Sequence, residues 1–298
     1  MKKSEINKKS KERKALLIGD IMLDKYVFGK VTRISPEAPV PVFLSQQKQQ
    51  VLGGAGNVFN NLSSLGAKVT LISVIGKDSA GKAVKELIKN RKLHKSYLFQ
   101  DKKRLTTIKT RYLSNNQQLI RVDEESRKNI SKPAEDFIIS NLKKSISATN
   151  VVVISDYNKG LVTKSLMQKI LQISKKYKVP VIVDPKNKDF DIYRGCYLIT
   201  PNQLEASNIS GFDCNSDKEA ERCAKFIMKK YNIENVLITR GEKGLTYLNK
   251  KKIIHSPTKK IEVYDVSGAG DTVLAILTIS IFSNMDIEDI LHNANKAA

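Results

Sequence analysis

The sequence predicts an α/β fold in which a doubly wound, mostly parallel sheet carries a small β-sheet lid. Short apolar runs alternate along the chain with segments of helical spacing, a pattern typical of repeated βα units. Two stretches, at about 25–50 and 96–122, break this alternation because they contain strand patterns without helices. A chain of 298 residues that is 41% hydrophobic can bury one large core and carry an appendage.

Five apolar runs of strand length supply the predicted parallel sheet. They are rich in valine, isoleucine and leucine, as expected for strands buried on both faces, and they begin at Ala15, Lys68, Val151, Pro180 and Asn235. Helical spacing is predicted between them, over 56–65, 79–90, 163–177 and 216–231. Ligands of doubly wound sheets bind outside the carboxyl ends of the strands, so we expect a binding site at that edge.

The two interrupting stretches follow the first strand and the second helix. They could therefore meet over the ligand end of the sheet as a lid; the alternative is an added edge of the main sheet. Residues 1–14 are basic and polar and are not followed by the apolar region of a secretory signal. We expect a disordered tail over 1–14 and one domain over 15–298.

Composition limits the classes of partner. The net charge is +22, but the lysines are spread along the whole chain, aromatic residues make up 6% and tryptophan is absent, so no nucleic-acid surface is predicted. No apolar run approaches the ~20 residues that span a bilayer, and we expect a cytoplasmic protein without membrane contact. Cys196, Cys214 and Cys223 lack the spacing of a disulfide framework or a zinc site.

The segment from Asp265 to Asp271 is the most informative motif in the chain. Gly268 and Gly270 precede an apolar helical run, where glycines allow backbone N–H groups to approach an anion and the helix adds its positive end. Asp271, in the first turn, can accept a proton from an attacking hydroxyl. The alternative is structural: Asp271 caps the helix and the glycines form a tight turn.

Two earlier glycine motifs lead to different interpretations: the first is rejected as a phosphate-binding loop, and the second is a candidate sugar site. Gly76 to Ala83 nearly matches a P-loop, but Ala83 lacks the hydroxyl that holds Mg²⁺, so we reject a P-loop mechanism. Gly53, Gly54 and Asn57 stand before a helix, where backbone and side-chain amides could approach a polyhydroxylated ligand. A packing turn explains that spacing equally well.

Two polar clusters follow later strands. Asp184 and Lys186 come at the end of the run that starts at Pro180, and the segment from Thr200 to Glu205 follows the next run. A lysine and an acid at strand ends suit ATP phosphates and hydrated Mg²⁺, which needs few protein ligands. Asn202 and Glu205 are also spaced as a helix-capping box, which is the structural alternative.

These motifs, in this order, resemble those of the ribokinase-like (PfkB) family of carbohydrate kinases, and the resemblance covers nearly the whole chain. Within the family the chain is similar to the bacterial heptose 7-phosphate kinases. The segments that carry this closer similarity are 19–26, 33–42, 116–121, 155–157, 193–195 and 262–266, and the block over 33–42 is the most specific.

The resemblance implies a reaction. An ATP-dependent kinase would phosphorylate O1 of D-glycero-β-D-manno-heptose 7-phosphate to the 1,7-bisphosphate, in the biosynthesis of ADP-heptose for the lipopolysaccharide core. ATP and Mg²⁺ would be the cofactors. A homodimer through the lid strands is also expected. The alternatives are a kinase of another sugar or of a nucleoside, and a sugar-phosphate-binding protein without turnover.

The resemblance also implies roles for individual residues. Asp271 would be the base, and the N–H groups of Gly268, Ala269 and Gly270 would form the anion hole. Sugar and phosphate would be bound by Asp24, Gly53, Gly54, Asn57, Arg33 and Arg111. The nucleotide side would comprise Lys186, Asn202, Gln203, Leu204, Glu205, Thr239 and Gly241, with Glu205 acting on Mg²⁺ through water. Related kinases continue beyond Ala298 with a further strand and a glycine-rich stretch, so the resemblance implies a truncated C-terminal end.

Overall fold

The computed structural model describes residues 13–89, 94–115, 117–258, 268–280 and 285–297. Most of the predicted tail, residues 1–12, lies outside the described residues, and the first strand begins at Lys14. The strands are β1 (Lys14–Gly19), β2 (Ile21–Ile34), β3 (Pro41–Gly54), β4 (Lys68–Gly76), β5 (Lys95–Asp101), β6 (Thr107–Ser114), β7 (Gln117–Glu124), β8 (Val151–Ser155), β9 (Val181–Asp184), β10 (Leu198–Ile199), β11 (Asn235–Thr239), β12 (Leu245–Asn249) and β13 (Ile253–Ser256).

The helices of the described residues flank these strands. They are α1 (Ala55–Ser64), α2 (Ser79–Lys89), α3 (Lys132–Ser145), α4 (Lys164–Tyr177), α5 (Gln203–Ser210), α6 (Asp217–Tyr231), α7 (Ala269–Ser280) and α8 (Ile287–Ala297). Short 3-10 turns occupy Ile146–Ala148, Phe190–Tyr193 and Gly241–Lys243. No helix within the described ranges is long and apolar enough to cross a bilayer.

The large sheet has nine strands in the order β13-β12-β11-β10-β9-β8-β1-β4-β5. Pairing is parallel from β11 to β5, and β12 and β13 continue the sheet antiparallel at one edge. Successive residues of a central strand enter opposite cores: Leu16 and Ile18 pack with α3 to α6, whereas Leu17 packs with α1, α2, α7 and α8. This two-sided burial explains the continuous apolar runs.

The small sheet has four strands in the order β3-β2-β6-β7. β2 follows β1 after Asp20 alone, and β3 returns antiparallel to it and ends at Gly54, directly before α1. The two strands therefore run out of the core and back into it, which places the small sheet beside the carboxyl end of β1.

One part of the predicted second insertion lies elsewhere. Residues 95–101 form β5, which pairs in parallel with β4 as the edge of the large sheet. Tyr97 and Phe99 alternate along β5 and pack on the core, and the Phe99 ring lies 5.5 Å from that of Phe137. The alternative of an added edge thus applies to residues 96–101, and β6 and β7 supply the small sheet.

Candidate active site

A pocket of about 350 Å³ lies at the carboxyl ends of β8 to β11, where α7 begins. This is the edge at which the sequence predicts a ligand site. The residues that line it come from five separate segments of the chain: Tyr157, Asp184, Lys186, Thr200, Asn202, Thr239, Gly268, Gly270 and Asp271.

Asp271 is held in the first turn of α7 by two hydrogen-bond donors. Asn57 Nδ2 in α1 donates to Oδ2 at 2.7 Å, and the Tyr157 hydroxyl lies 2.9 Å from Oδ1 and 3.0 Å from Oδ2. The residue is only 4% exposed. Burial raises the pKa of Asp271 above the ordinary value, while the hydrogen bonds from Asn57 and Tyr157 oppose that rise.

Gly268 makes the approach of Asn57 possible. Its φ is 88°, and a Cβ at this position would lie 2.6 Å from Asn57 Nδ2. α7 starts at the next residue, Ala269, and Thr272 N donates back to Gly268 O at 3.0 Å. The first backbone N–H groups of a helix have no intrahelical acceptor, so this turn offers donors to an anion.

Asp24 and Arg111 form an ion pair on the small sheet. Arg111 Nη1 on β6 lies 2.8 Å from Asp24 Oδ1 on β2, and the guanidinium also lies 5.3 Å from the centre of the Tyr26 ring. Gly53, on the neighbouring strand β3 and paired with Met22, is needed because a Cβ there would be 2.3 Å from Asp24 Oδ2. Asp24 acts electrostatically on Asp271, but neither Asp24 nor Arg111 is among the residues that line the pocket.

Arg33 lies far from this pair along the same strand. It is nine residues beyond Asp24 on β2, roughly 30 Å at the rise of an extended strand. Its side chain is exposed and its backbone pairs with Val42. The structure therefore pairs Arg111 with Asp24 and places Arg33 far from that pair.

Three charged groups cluster on the other side of the pocket. Lys186 Nζ lies 2.7 Å from Glu205 Oε1 and 4.0 Å from Asp184 Oδ1. Burial raises the pKa of Asp184 to about 7, and Asp271 and Glu205 add to the rise. Burial would lower the pKa of Lys186, but Asp184, Glu205 and Asp271 together raise it, so the lysine stays charged.

Asn202 and Glu205 form a capping box at the start of α5, which the sequence analysis gave as the alternative to a nucleotide-binding role. Glu205 N donates to Asn202 Oδ1 and Asn202 N donates to Glu205 Oε2, both at 2.8 Å. Asn202 also bridges to Thr239 at the end of β11. The cap leaves Glu205 Oε1 directed at Lys186, so the box and a role beside the nucleotide are compatible.

The remaining predicted nucleotide residues lie around this cap. Gln203 Nε2 donates to Asn215 at 2.9 Å, and Leu204 is 68% exposed. Gly241 has a φ of 56° and opens a 3-10 turn just after Thr239. None of these three lines the pocket itself.

Of the three remaining lining residues, Asp184 and Thr200 belong to the polar clusters predicted after the later strands, and Tyr157 was given no role from the sequence. Tyr157 stands two residues beyond β8, Asp184 is the last residue of β9, and Thr200 directly follows β10. Thr200 Oγ1 lies 3.3 Å from Asp184 Oδ1. Their shared signal is a polar residue at the carboxyl end of a buried strand, and the segment 155–157 was already part of the heptose kinase resemblance.

The P-loop-like segment has a structural use. Asp78 Oδ1 accepts from Gly81 N at 2.7 Å and Asp78 Oδ2 accepts from Thr106 N at 2.8 Å. The carboxylate of Asp78 therefore already occupies the amide that a phosphate would need, in agreement with the rejection of a P-loop.

Residues 12–298 match the family described as pfkB family carbohydrate kinase. The chain belongs to the pfkB family of carbohydrate kinases. It is therefore a sugar kinase, which confirms the predicted enzyme class, and kinases of this family use ATP with a divalent metal ion.

The curated relatives of this pfkB-family chain include bifunctional proteins. Bifunctional protein HldE of Aliarcobacter butzleri is 41% identical over 289 residues, which are 97% of this chain and 60% of that protein. The corresponding protein of Geotalea uraniireducens is 38% identical over 291 residues, 97% of this chain and 59% of that protein. The chain thus spans about 60% of the length of the curated relatives it matches.

Solved pfkB-like structures share the fold at low sequence identity. Phosphofructokinase-2 from Escherichia coli, in complex with substrates and products, has a TM-score of 0.77 at 18% identity, over 95% of this chain and 90% of that one. Arabidopsis thaliana ribokinase complexed with ribose and ATP has a TM-score of 0.71 at 18% identity, with the same coverage. The predicted ribokinase-like α/β fold with a small second sheet is confirmed.

Proposed function

We propose that this kinase transfers the γ-phosphoryl group of ATP to O1 of D-glycero-β-D-manno-heptose 7-phosphate, giving the 1,7-bisphosphate for ADP-heptose and lipopolysaccharide core synthesis. The observation that carries the proposal is the pocket in which a buried Asp271 stands at the start of α7, with Lys186, itself paired to Glu205, lining the same pocket. The heptose assignment is supported by the relatives named HldE and by the block over 33–42.

The proposed chemistry is a single phosphoryl transfer. Asp271 accepts the proton of the O1 hydroxyl as that oxygen bonds to the γ-phosphorus, and the bond from phosphorus to the β-phosphate oxygen breaks to release ADP. The N–H groups of Gly268, Ala269 and Gly270 stabilise the charge on the transferring group. Burial of Asp271 reduces competition from water for the phosphoryl group.

The charged cluster fits a metal–nucleotide complex. When bound, Mg·ATP supplies the phosphoryl group and neutralises its developing charge. Asp184 and Glu205 offer carboxylate oxygens within reach of a hydrated magnesium ion, and Lys186 between them can bind a phosphate. Thr239 and Asn202 would line the same side, and Gln203, Leu204 and Gly241 are retained as outer nucleotide contacts.

The opposite side of the pocket fits the sugar phosphate. Asp24 can accept hydrogen bonds from sugar hydroxyls, and Asn57, with Gly53 and Gly54, lies between Asp24 and Asp271. We propose that Arg111, whose guanidinium is ion-paired with Asp24, binds the distant 7-phosphate, because a guanidinium matches phosphate geometry. Since Arg33 lies far along β2, we assign the phosphate contact to Arg111.

Quaternary structure and location are part of the proposal. The small sheet carries exposed apolar side chains on its outer strands, and we propose a homodimer formed through this sheet. We expect the protein in the cytoplasm, where ATP is available.

The test is ADP release from Mg·ATP with heptose 7-phosphate, compared with ribose, fructose and fructose 6-phosphate. Asp271→Asn should lower kcat by about 10²–10⁴-fold, the usual contribution of a general base. Because burial raises the pKa of Asp271, the wild-type rate should fall on the acid side at a pH above the ordinary carboxylate range. Asp156→Asn is the matched control.

Asp156 is a suitable control because burial raises its pKa to about 7, yet it does not line the pocket. Asparagine resembles its neutral form, so turnover should stay within a few-fold of wild type. Preference for another sugar would reject the heptose assignment and leave the proposed role of Asp271 as the base unaffected. Full activity of Asp271→Asn on every sugar would contradict the mechanism.

A further inference from the structure

The two carboxylate oxygens of Asp271 receive unequal sets of hydrogen bonds, and Tyr157 contacts both. Its hydroxyl lies 2.9 Å from Oδ1 and 3.0 Å from Oδ2, while Asn57 Nδ2 donates to Oδ2 alone. Within the described part of the chain, Oδ2 therefore faces two side-chain donors and Oδ1 only the shared one. Burial and the neighbouring Asp271 raise the pKa of Tyr157, so its phenol stays protonated and acts as the donor.

The backbone of Tyr157 is anchored independently of Asp271. Its N–H donates to Asp20 Oδ2 at 3.0 Å, and the N–H groups of Lys159 and Leu161 donate to the same carboxylate at 3.2 and 3.3 Å. Asp20 is 4% exposed and directly follows β1. The phenol thus projects from a loop that is fixed to the core, which is the arrangement needed to orient another side chain.

We infer that Tyr157 is a positioning residue for phosphoryl transfer: together with Asn57 its hydroxyl fixes the Asp271 carboxylate so that Oδ1 takes the proton of the acceptor hydroxyl. This inference rests on the proposal that Asp271 is the base. A carboxylate without these donors could rotate about its terminal torsion, and a poorly oriented base loses much of its catalytic effect. The role requires no contact between Tyr157 and the sugar.

Several charged groups face Asp271 besides its two donors. Asp24 acts from β2, and Asp184 and Lys186 act from the end of β9 and the segment after it. A change of Tyr157 to phenylalanine leaves all of these in place and removes one donor to the carboxylate. The ionised form of Asp271 is then less stabilised and its pKa rises. Since the base must be ionised, the acid limb of kcat moves to higher pH.

The first experiment is the pH profile of kcat for Tyr157→Phe with the acceptor sugar at saturation. We expect the acid limb to move up by about one pH unit, with kcat near neutral pH lowered by about tenfold or more and the KM for the sugar unchanged within twofold. A uniform fall of kcat with an unmoved limb would overturn the inference. A raised KM with unchanged kcat would do so as well, because it would mean that Tyr157 binds the sugar.

A second readout does not depend on turnover. In protein labelled with ¹³C at the aspartate carboxyl carbons, the resonance of Asp271 is the one missing in Asp271→Asn. Its titration should shift to higher pH in Tyr157→Phe. Tyr193→Phe is the matched control, because Tyr193 is also buried and donates its hydroxyl to a different carboxylate, that of Asp156. This variant should leave the titration of Asp271 unchanged.

The two readouts separate the two proposals. A shifted Asp271 titration without any turnover of heptose 7-phosphate would support the role of Tyr157 and reject the proposed substrate. An unshifted titration would overturn the inference even if the heptose is phosphorylated. An equal shift in Tyr193→Phe would also overturn it, since the effect would then come from general loosening of the buried site.

Discussion

The chemistry of Asp271 depends on a balance between burial and hydrogen bonding. Burial raises its pKa, which makes the carboxylate a stronger base, while Asn57 and Tyr157 hold the ionised form available. Burial also raises the pKa of Asp184, in the same pocket, to about 7, and its side-chain contacts are Thr200 Oγ1 at 3.3 Å and Lys186 Nζ at 4.0 Å. Both acids of the pocket thus bind a proton more readily than an ordinary carboxyl group, while each has its own set of hydrogen-bond and ion-pair partners.

Gly268→Ala tests how far this balance depends on the turn before α7. The substitution would place a Cβ 2.6 Å from Asn57 Nδ2 in backbone with a φ of 88°. We expect displacement of Asn57 and a fall in kcat on the order of 10²-fold, together with a loss of about 1–2 kcal/mol in the free energy of unfolding from the left-handed backbone. Steady-state kinetics and denaturant unfolding check the two parts.

Gly195→Ala is the matched control for that variant. Gly195 has a φ of 83°, but a Cβ there would meet nothing within 4 Å. It should lose a similar free energy of unfolding and keep kcat. Equal kinetic losses in both variants would show that backbone strain, rather than the contact with Asn57, lowers activity.

The residues around Asp271 differ in how well the sequence could reveal them. Gly268 and Asp271 lie in one short motif before a helical run, so spacing alone indicates an anion site with a base. The hydroxyl of Tyr157 meets Asp271 across 114 residues, and its backbone is anchored by Asp20 across 137. No local periodicity encodes contacts of that range, because they depend on the order in which the strands assemble.

At the scale of elements, two helices begin with the same hydrogen-bonded motif, a capping box. α5 starts with the capping box of Asn202 and Glu205, and α6 starts with that of Ser216 and Glu219. Only the first box lies at the pocket, where Asn202 lines the wall and Glu205 contacts Lys186. The pair therefore allows the structural and functional contributions of a cap to be separated.

We expect Asn202→Ala and Ser216→Ala to lower the free energy of unfolding alike, by about 1 kcal/mol each, the usual cost of losing an N-cap. Only Asn202→Ala should raise the KM for ATP, by about tenfold, which equals about 1.4 kcal/mol of binding. Chemical denaturation and ATP titrations measure the two effects. An unchanged KM in Asn202→Ala would show that the box serves only the helix.

Strand prediction succeeded where burial is two-sided. β1, β8, β9 and β11 read directly as apolar runs because helices cover both faces of the sheet. β5 falls within the predicted second insertion because its apolar run is only three residues long, Tyr97 to Phe99, between polar ends. All three pack against the cores, Tyr97 and Phe99 on one face and Leu98 on the other, but so short a run is also typical of a lid strand, so sequence alone could not separate the two.

At the scale of the whole molecule, the small sheet projects from the core. The ends of β2 and β3 near Asp20 and Ala55 are buried, whereas the middle of β3 and the whole of β7 are exposed. β3 and β7 are also the edges of this sheet, with unpaired backbone groups along the described strands. Such a sheet can cover the sugar side of the pocket and still present an outer surface to another chain.

That outer surface gives the last prediction, a homodimer formed through the small sheet. Ile120 and Val122 on β7 are 57% and 43% exposed and, being two residues apart in a strand, share one face. Covering them with the same surface of a second copy would bury apolar area on both chains. We expect size-exclusion chromatography with light scattering at micromolar concentration to give the mass of two chains, and Ile120→Asp to give the mass of one.

Tyr177→Asp is the control for that change. Tyr177 ends α4, away from the small sheet, and is 45% exposed, so the same charge there should leave the dimer intact. A wild-type monomer would reject the dimer. If Ile120→Asp remained a dimer, the chains would associate through a different surface, and the exposed face of β7 would then be free to move with the lid over the sugar.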